Sequence, residues 1–220
     1  MWNKIKDERL ISRYLLFIVG LFIASLGVAL STKAGLGTSP VASVPYTVSL
    51  MLPILTFGWW LNVWSVIQIG TEVVLLRSKC NPVEIVIQTI LAFAYGKMTD
   101  FSCSLLNGIK ADTYVIQIFL MIASCFVLGF GIWLQFKGRV AMLPGEAMNR
   151  AIATVTGKKY ENIKILFDVL YIVVAAILGF IFLGGLQGVR EGSIIAAIFI
   201  GNIIKLYNKG FDKIFNSRKE

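Results

Sequence analysis

The sequence contains no histidine, and only 15% of its 220 residues are charged. Without histidine there is no imidazole base, which excludes a Ser-His-Asp triad and an HExxH zinc site. The three cysteines, Cys80, Cys103 and Cys125, lack the spacing of a CxxC or zinc motif. The glycine-rich phosphate-binding motifs of nucleotide enzymes are also missing. These absences predict a protein that is not an enzyme and that binds neither a metal nor a cofactor.

Apolar residues, by contrast, are abundant. They make up 57% of the chain, and the mean hydropathy is +0.77. Soluble domains carry about 25% charged residues, so this composition indicates an integral membrane protein with little mass outside the bilayer. The net charge of +9 does not indicate nucleic-acid binding, because most basic residues flank apolar runs, where membrane proteins carry charges that set their orientation.

The apolar residues form six runs that approach the roughly 20 residues needed to cross a bilayer as a helix. These runs are 14–33, 58–76, 83–101, 114–136, 163–184 and 191–207. Two shorter stretches, 40–55 and 145–156, each begin beside a proline and contain polar residues. They predict two re-entrant half-helices, and two additional short spans are the alternative.

The positions of lysine and arginine distinguish these alternatives. With six spans and re-entrant short elements, the inner segments 1–13, 77–82, 137–164 and 205–220 hold 17 of the 21 basic residues. Basic residues are enriched on the cytoplasmic side of membrane proteins. The pattern therefore favours six spans with both termini in the cytoplasm.

The two halves of the chain resemble each other. Gly20–Pro40 aligns with Gly129–Pro144, so that Pro40 falls opposite Pro144, and Asn62 falls opposite Asp168. Each half contains three predicted spans, and an odd number inverts the second copy relative to the first. We therefore expect an all-α membrane protein of six transmembrane helices and two half-helices in two inverted repeats. Its parts are a cytoplasmic segment (1–13), repeat one (14–108), repeat two (113–208) and a basic cytoplasmic tail (209–220).

Four short motifs carry a resemblance to a known family. They are Ala34–Pro40 with Ser43–Tyr46, Met142–Ala147, Lys164–Val169 and Val189–Ser193. In this order they resemble the YczE/YyaS/YitT-like family of bacterial multi-pass membrane proteins. Ser193 stands where the family pattern has threonine, which keeps a hydroxyl group. The resemblance implies a protein of the bacterial cytoplasmic membrane that acts as a transporter, and it implies no particular substrate.

The sequence thus predicts a small secondary transporter of a small polar or charged solute, with its site between the two short helices near the membrane midplane. Glu146 is the strongest candidate, because a carboxylate in the first turn of a helix is favoured by the helix dipole. Glu146 and Asp168 are the candidates for coupling to a proton or a sodium ion. The expected solute contacts are Thr38, Ser39, Ser43, Tyr46, Asn62, Glu146, Asn149 and Arg150. The expected gate or supporting residues are Gln88, Arg190, Glu191 and Ser193.

Each ionisable candidate also has a structural interpretation. Glu146 and Arg150, like Lys164 and Asp168, are four residues apart and can form ion pairs on one helix face. Glu72 lies just before Arg77, close to the expected inner surface, where its side chain can extend to water. Lys97 and Asp100 can pair at an outer helix end.

Two other functions remain open at this stage. The chain can serve as the membrane-embedded binding subunit of an ATP-driven transporter, or as a regulatory or scaffold protein that transports nothing. The expected partners are the lipid bilayer and a small-molecule solute, with no nucleic acid. The sequence also leaves a homodimer open.

Overall fold

The computed structural model describes residues 2–77 and 80–216, with side chains over 11–77 and 80–210. Its regular secondary structure is helical throughout the described part of the chain. The eight helices are α1 (Trp2–Ala34), α2 (Pro40–Met51), α3 (Phe57–Leu76), α4 (Pro82–Leu105), α5 (Tyr114–Gly138), α6 (Pro144–Thr156), α7 (Tyr160–Leu183) and α8 (Glu191–Asn216). The predicted all-α fold is confirmed.

Four of these helices are long and apolar enough to cross a membrane. They are Ile11–Ala34 of α1, Phe57–Leu76, Tyr114–Gly138 and Tyr160–Leu183, which correspond to four of the six predicted spans. Helices α4 and α8 are as long, at 24 and 26 residues, but are less apolar. In α4 the polar side chains of Gln88, Thr99 and Ser102 are buried inside the protein. Crossing by 83–101 and 191–207 therefore stays a prediction.

Helices α2 and α6 are short, with 12 and 13 residues, and both begin at the predicted prolines. At 1.5 Å per residue each is about 18–20 Å long, well below the roughly 30 Å of a bilayer's hydrocarbon core. Their N-termini lie close together. A methyl group placed on Gly145 of α6 would lie 3.5 Å from Val41 Cγ1 of α2. The two proline-opened ends thus meet inside the bundle.

Helices α1 and α5 form the most extensive helix–helix contact of the fold. A methyl group on Gly20 would lie 2.7 Å from the Gly131 carbonyl oxygen, and one on Gly27 would lie 2.5 Å from Leu128 N. Small residues are common where membrane helices approach, since they let the backbones come together. Arg13 of α1 donates from Nε to the Gly138 carbonyl at 2.8 Å, which satisfies an otherwise free carbonyl at the end of α5.

The remaining helices pack around this pair in matching ways. Helix α4 packs on α1 as α8 packs on α5, and α2 packs on α7 as α3 packs on α6.

The molecule has two ends. We call the one carrying Arg13 and the C-terminus of α5 the Arg139 end. The opposite one is the Arg190 end, where Lys33 Nζ donates to Asn107 Oδ1 at 2.8 Å.

Candidate functional site

A cavity of about 520 Å³ lies between α3, α4, α5 and α6 and extends to the Arg139 end. It is lined by Leu76 at the end of α3 and by Val140 and Ala141 of the loop that follows α5. Its polar lining comprises Glu72, Glu84, Gln88, Gln135, Arg139, Glu146, Arg150 and Thr154. Because ionisable residues inside membrane proteins are costly and usually mark functional sites, this cavity is the candidate site. We call it the Glu72 cavity.

Glu72 lies one turn before the end of α3, and its side chain is only 6% exposed. The expectation that it extends to the membrane surface is therefore wrong, because α3 turns this face toward α4 and α6. Glu72 Oε2 has no hydrogen-bond partner. An unpartnered buried polar group costs about 1–3 kcal/mol, so the fold tolerates a penalty at this position.

Gln88 faces Glu72 from α4. Its carboxamide lies beside the Glu72 carboxyl group and is 4% exposed, and its Oε1 atom also lacks a partner. Asn81 and Pro82 fix the start of α4, where Asn81 Oδ1 accepts a hydrogen bond from Val83 N at 3.1 Å. This cap sets the position from which Gln88, in the second turn, reaches the cavity.

Glu146 enters the cavity from the first turn of α6, as its position after Pro144 predicts. It does not form the expected pair with Arg150, for the Arg150 Nη1 atom is directed at Met142 Sδ, at 3.6 Å. Gly145 permits the approach of this turn to α3, because a methyl group there would lie 3.3 Å from Gln68 Nε2. The carboxylate is thus held between the cavity and α7.

Asp168 lies on α7, outside the cavity lining. Its Oδ2 atom pairs with Lys164 Nζ at 3.1 Å, so the predicted local ion pair is confirmed. The other carboxylate oxygen, Oδ1, is buried without a partner. Glu146 lies within electrostatic range of both Lys164 and Asp168, which connects the cavity to this ion pair.

Several side chains that were predicted to contact the solute are buried against, or bonded to, other parts of the protein. Thr38 is fully buried and its hydroxyl lies 2.7 Å from Ser31 Oγ. Ser43 donates to the Pro40 carbonyl at 2.6 Å and reaches the Tyr171 carbonyl at 3.3 Å. Ser39 precedes α2 as its N-cap but makes no side-chain cap bond.

The other predicted contacts are spread over separate helix interfaces. Asn62 lies directly against Gly96 of α4, and Tyr46 packs edge-on against Phe57 with ring centroids 5.3 Å apart. Asn149 is 3% exposed on α6 and has an unpartnered Oδ1 atom. Of the residues predicted from sequence, the cavity therefore brings together Gln88, Glu146 and Arg150.

The cavity also contains residues that were not predicted as site residues, namely Glu72, Glu84, Gln135 and Arg139. Gln135 interrupts an apolar run, and this polar position inside a span was a usable signal. Arg139 carried no such signal. It ends α5 in the left-handed conformation, with φ 49°, and this turn brings it to the cavity mouth.

The predicted gate residues Arg190, Glu191 and Ser193 lie together at the Arg190 end. Here the loop after α1 contacts the loop before α8, with Gly37 bridging to Val189 and Gly192 N donating to the Leu36 carbonyl at 2.9 Å. Arg190 pairs with Glu191 at 3.1 Å and donates to the Gly35 carbonyl at 3.3 Å. Buried Ser193 lies against Gly37. This contact joins the two loops at the end opposite the cavity mouth, beside a shallow, open cleft of about 440 Å³ that Arg190 lines.

Comparison with known proteins places this arrangement in a family. The chain is 26% identical over 190 residues to the uncharacterized protein YyaS of Bacillus subtilis (strain 168), covering 86% of this chain and 92% of that protein. No solved structure matches it. The model of a family of unknown function, DUF6198, matches residues 11–209. The predicted resemblance to YyaS-like membrane proteins is thereby confirmed, and the chain belongs to the DUF6198 family.

Proposed function

We propose that the protein is a small secondary transporter that moves a polar or charged solute through the Glu72 cavity. The observation that carries this proposal is a polar cavity that extends to one end of the molecule only. The Glu72 cavity extends to the Arg139 end, and none of its described lining residues comes from the Arg190 end, where the Leu36–Gly192 and Gly37–Val189 contacts join the loops beside a separate, shallow cleft. A cavity open to one side and closed to the other is what a transporter needs in one of its two states.

The matching helix contacts support a construction from two inverted repeats, α1–α4 and α5–α8. When the first four helices are exchanged with the last four, the contact between α1 and α4 corresponds to the contact between α5 and α8. The contact between α2 and α7 then corresponds to the contact between α3 and α6. The symmetry is broken at one place, since α3 packs on α4 while α7 and α8 do not pack closely. In inverted-repeat transporters, such a difference between the halves is the structural basis of alternating access.

In this proposal, α2 and α6 are re-entrant half-helices that meet by their N-termini near the midplane. Their lengths of 12 and 13 residues are too short for a span, and Gly145 lies close to Val41 where they meet. Helix N-termini carry partial positive charge, which favours a carboxylate such as Glu146 in the first turn. A broken helix near the midplane also brings polar backbone to a place where a solute can reach it.

The orientation follows from the basic residues. Arg13, Arg77 and Arg139 lie toward the Arg139 end, as does most of the predicted inner charge, so this end faces the cytoplasm in our proposal. The structure then corresponds to an inward-facing state of a protein in a bacterial cytoplasmic membrane. Coupling to a proton or sodium ion at Glu146 or Asp168 is part of the same proposal.

Uptake into liposomes containing the purified protein tests the proposal. The probes are labelled small amines, amino acids and organic anions, each with and without a proton or sodium gradient. Gly192→Ala is the variant that tests the Arg190 end, because the added methyl group would lie 2.6 Å from the Leu36 carbonyl oxygen and would disturb the Leu36–Gly192 contact. Gly201→Ala, on the same helix, is the matched control, because no atom lies within 4 Å of a methyl group placed there.

We expect flux of at least one class of probe, reduced at least threefold in Gly192→Ala, because alternating access requires the Leu36–Gly192 contact to form and to break. Gly201→Ala should keep the activity of the wild-type protein. Absence of flux for all probes under every gradient would refute the transporter. Unchanged flux through Gly192→Ala, or an equal loss in Gly201→Ala, would refute alternating access at this end.

A further inference from the structure

The inner part of the Glu72 cavity presents acceptors that lack donors. Glu72 and Gln88 are 6% and 4% exposed, and Glu72 Oε2 and Gln88 Oε1 have no hydrogen-bond partner. Buried polar atoms in native proteins are nearly always bonded, so two orphans in one cavity call for an explanation. Both are oxygens, and therefore the missing partner is a hydrogen-bond donor.

The charged residues around these oxygens indicate which charge the donor group carries. The cavity is lined by three carboxylates, Glu72, Glu84 and Glu146, and two guanidinium groups, Arg139 and Arg150. Both arginines are exposed, whereas Glu72 has the least solvent-accessible surface of the five charged residues. A positively charged group is therefore favoured in the inner part, and an anionic group is repelled there.

The volume and the origin of the lining favour an organic molecule. About 520 Å³ is within the range of sites that hold small molecules. The lining residues come from four different helices, so a ligand placed there contacts both halves of the chain. No cluster of three or more metal-ligating Cys, Asp or Glu side chains occurs among the described residues.

We propose that the Glu72 cavity recognises a small protonated amine, whose N–H groups donate to the Glu72 carboxylate and to the Gln88 carboxamide oxygen. The inference deepens the proposed function, on which it rests, by naming the chemical class of the solute. A charged donor bound to a carboxylate makes a stronger hydrogen bond than a neutral pair. The two arginines at the mouth can hold a carboxylate if the amine is part of an amino acid.

Equilibrium binding tests this inference without requiring transport. The purified full chain in detergent is titrated with ethanolamine, 1,4-diaminobutane, guanidinium, glycine, acetate and sodium chloride, and calorimetry measures the heat of binding. Choline is the matched control for ethanolamine, because it has the same hydroxyl and charge but no N–H donor. This comparison uses the wild-type protein and does not depend on any variant folding.

We expect at least one of the four compounds with N–H donors to bind and, if ethanolamine binds, choline to bind at least tenfold more weakly. Glu72→Gln and Gln88→Leu should each weaken binding at least tenfold, while Asp112→Asn, at an exposed position outside the cavity lining, should change it less than threefold. Selective loss of glycine binding in Arg150→Gln would identify an amino acid, and unchanged binding would identify a simple amine.

Two results would overturn the inference. The first is absence of heat with every amine, whether or not acetate or sodium chloride gives heat. The second is equal binding of choline and ethanolamine. Amine binding without any flux in liposomes would instead refute the proposed transport and leave the recognition of amines standing.

Discussion

Replacing Glu72 by glutamine should stabilise the protein. The carboxylate is 6% exposed, and one of its oxygens has no partner. A charged residue at the centre of a membrane helix costs about 2.5–3.5 kcal/mol on insertion scales. Because Glu72 lies one turn from the end of α3 and faces a cavity, we expect a smaller cost, about 1–2 kcal/mol. Glutamine keeps the shape of the side chain and removes the charge.

The gain is measured as a shift in the unfolding temperature of purified protein in detergent. For a chain of about 200 residues, 1 kcal/mol corresponds to about 2–4 °C, so the variant should unfold about 2–8 °C higher. Glu84→Gln is the matched control, because Glu84 lines the same cavity but is exposed. Its effect should stay within about 0.5 kcal/mol, as for most surface substitutions.

A lower unfolding temperature for Glu72→Gln would refute this reasoning, since it would mean that the carboxylate holds the helices together. Equal shifts in the two variants would refute it as well, because burial would then have no energetic consequence. A stabilised variant that has also lost amine binding would show the exchange of stability for activity that is common at functional sites.

Two further predictions concern the scaffold. Gly131→Ala should lower the free energy of unfolding by about 1–3 kcal/mol, because the added methyl group meets the α1 backbone at Ala24. Gly70→Ala is the control, having no atom within 4 Å, and equal stability of the two variants would contradict the close α1–α5 packing. Asp100→Ala should cost about 1–2 kcal/mol, since Asp100 accepts from Thr56 Oγ1 at 2.5 Å and from Gly58 N at 2.7 Å at the start of α3. The predicted Lys97–Asp100 ion pair is not among the ion pairs of the described residues, because Asp100 bonds to Thr56 and Gly58 instead. Lys97→Ala should therefore leave the unfolding temperature unchanged, and a loss comparable to that of Asp100→Ala would show that the pair forms.

Much of the helical framework was predictable from local sequence. Proline has no backbone N–H and fits the first turn of a helix, so Pro40 and Pro144 indicated where the short helices begin. The predicted run 114–136 became Tyr114–Gly138, because a long and mostly apolar stretch has few alternatives to a helix inside a membrane. The two less apolar runs also became helices, but their composition alone does not establish that they cross.

The candidate site was predictable only in part. Glu146 and Gln88 were found because they are polar positions in short or membrane-embedded helices. Thr38 and Asn62 were polar positions too, but neighbouring helices cover them. In a lipid environment a helix can expose apolar residues on most of its surface, so periodicity defines poorly which face turns inward.

The sequence by itself determined that the chain is helical and embedded in a membrane, because composition and run length decide both. Only the tertiary structure decided that Glu72, Gln88 and Glu146 share one cavity, since they lie on three separate helices and α5 intervenes between α4 and α6. It also decided that the loops at Gly37 and Val189 meet at the opposite end. The physical reason is that the rotation and partners of each helix are set by long-range contacts, such as the glycines between α1 and α5, which no local pattern encodes.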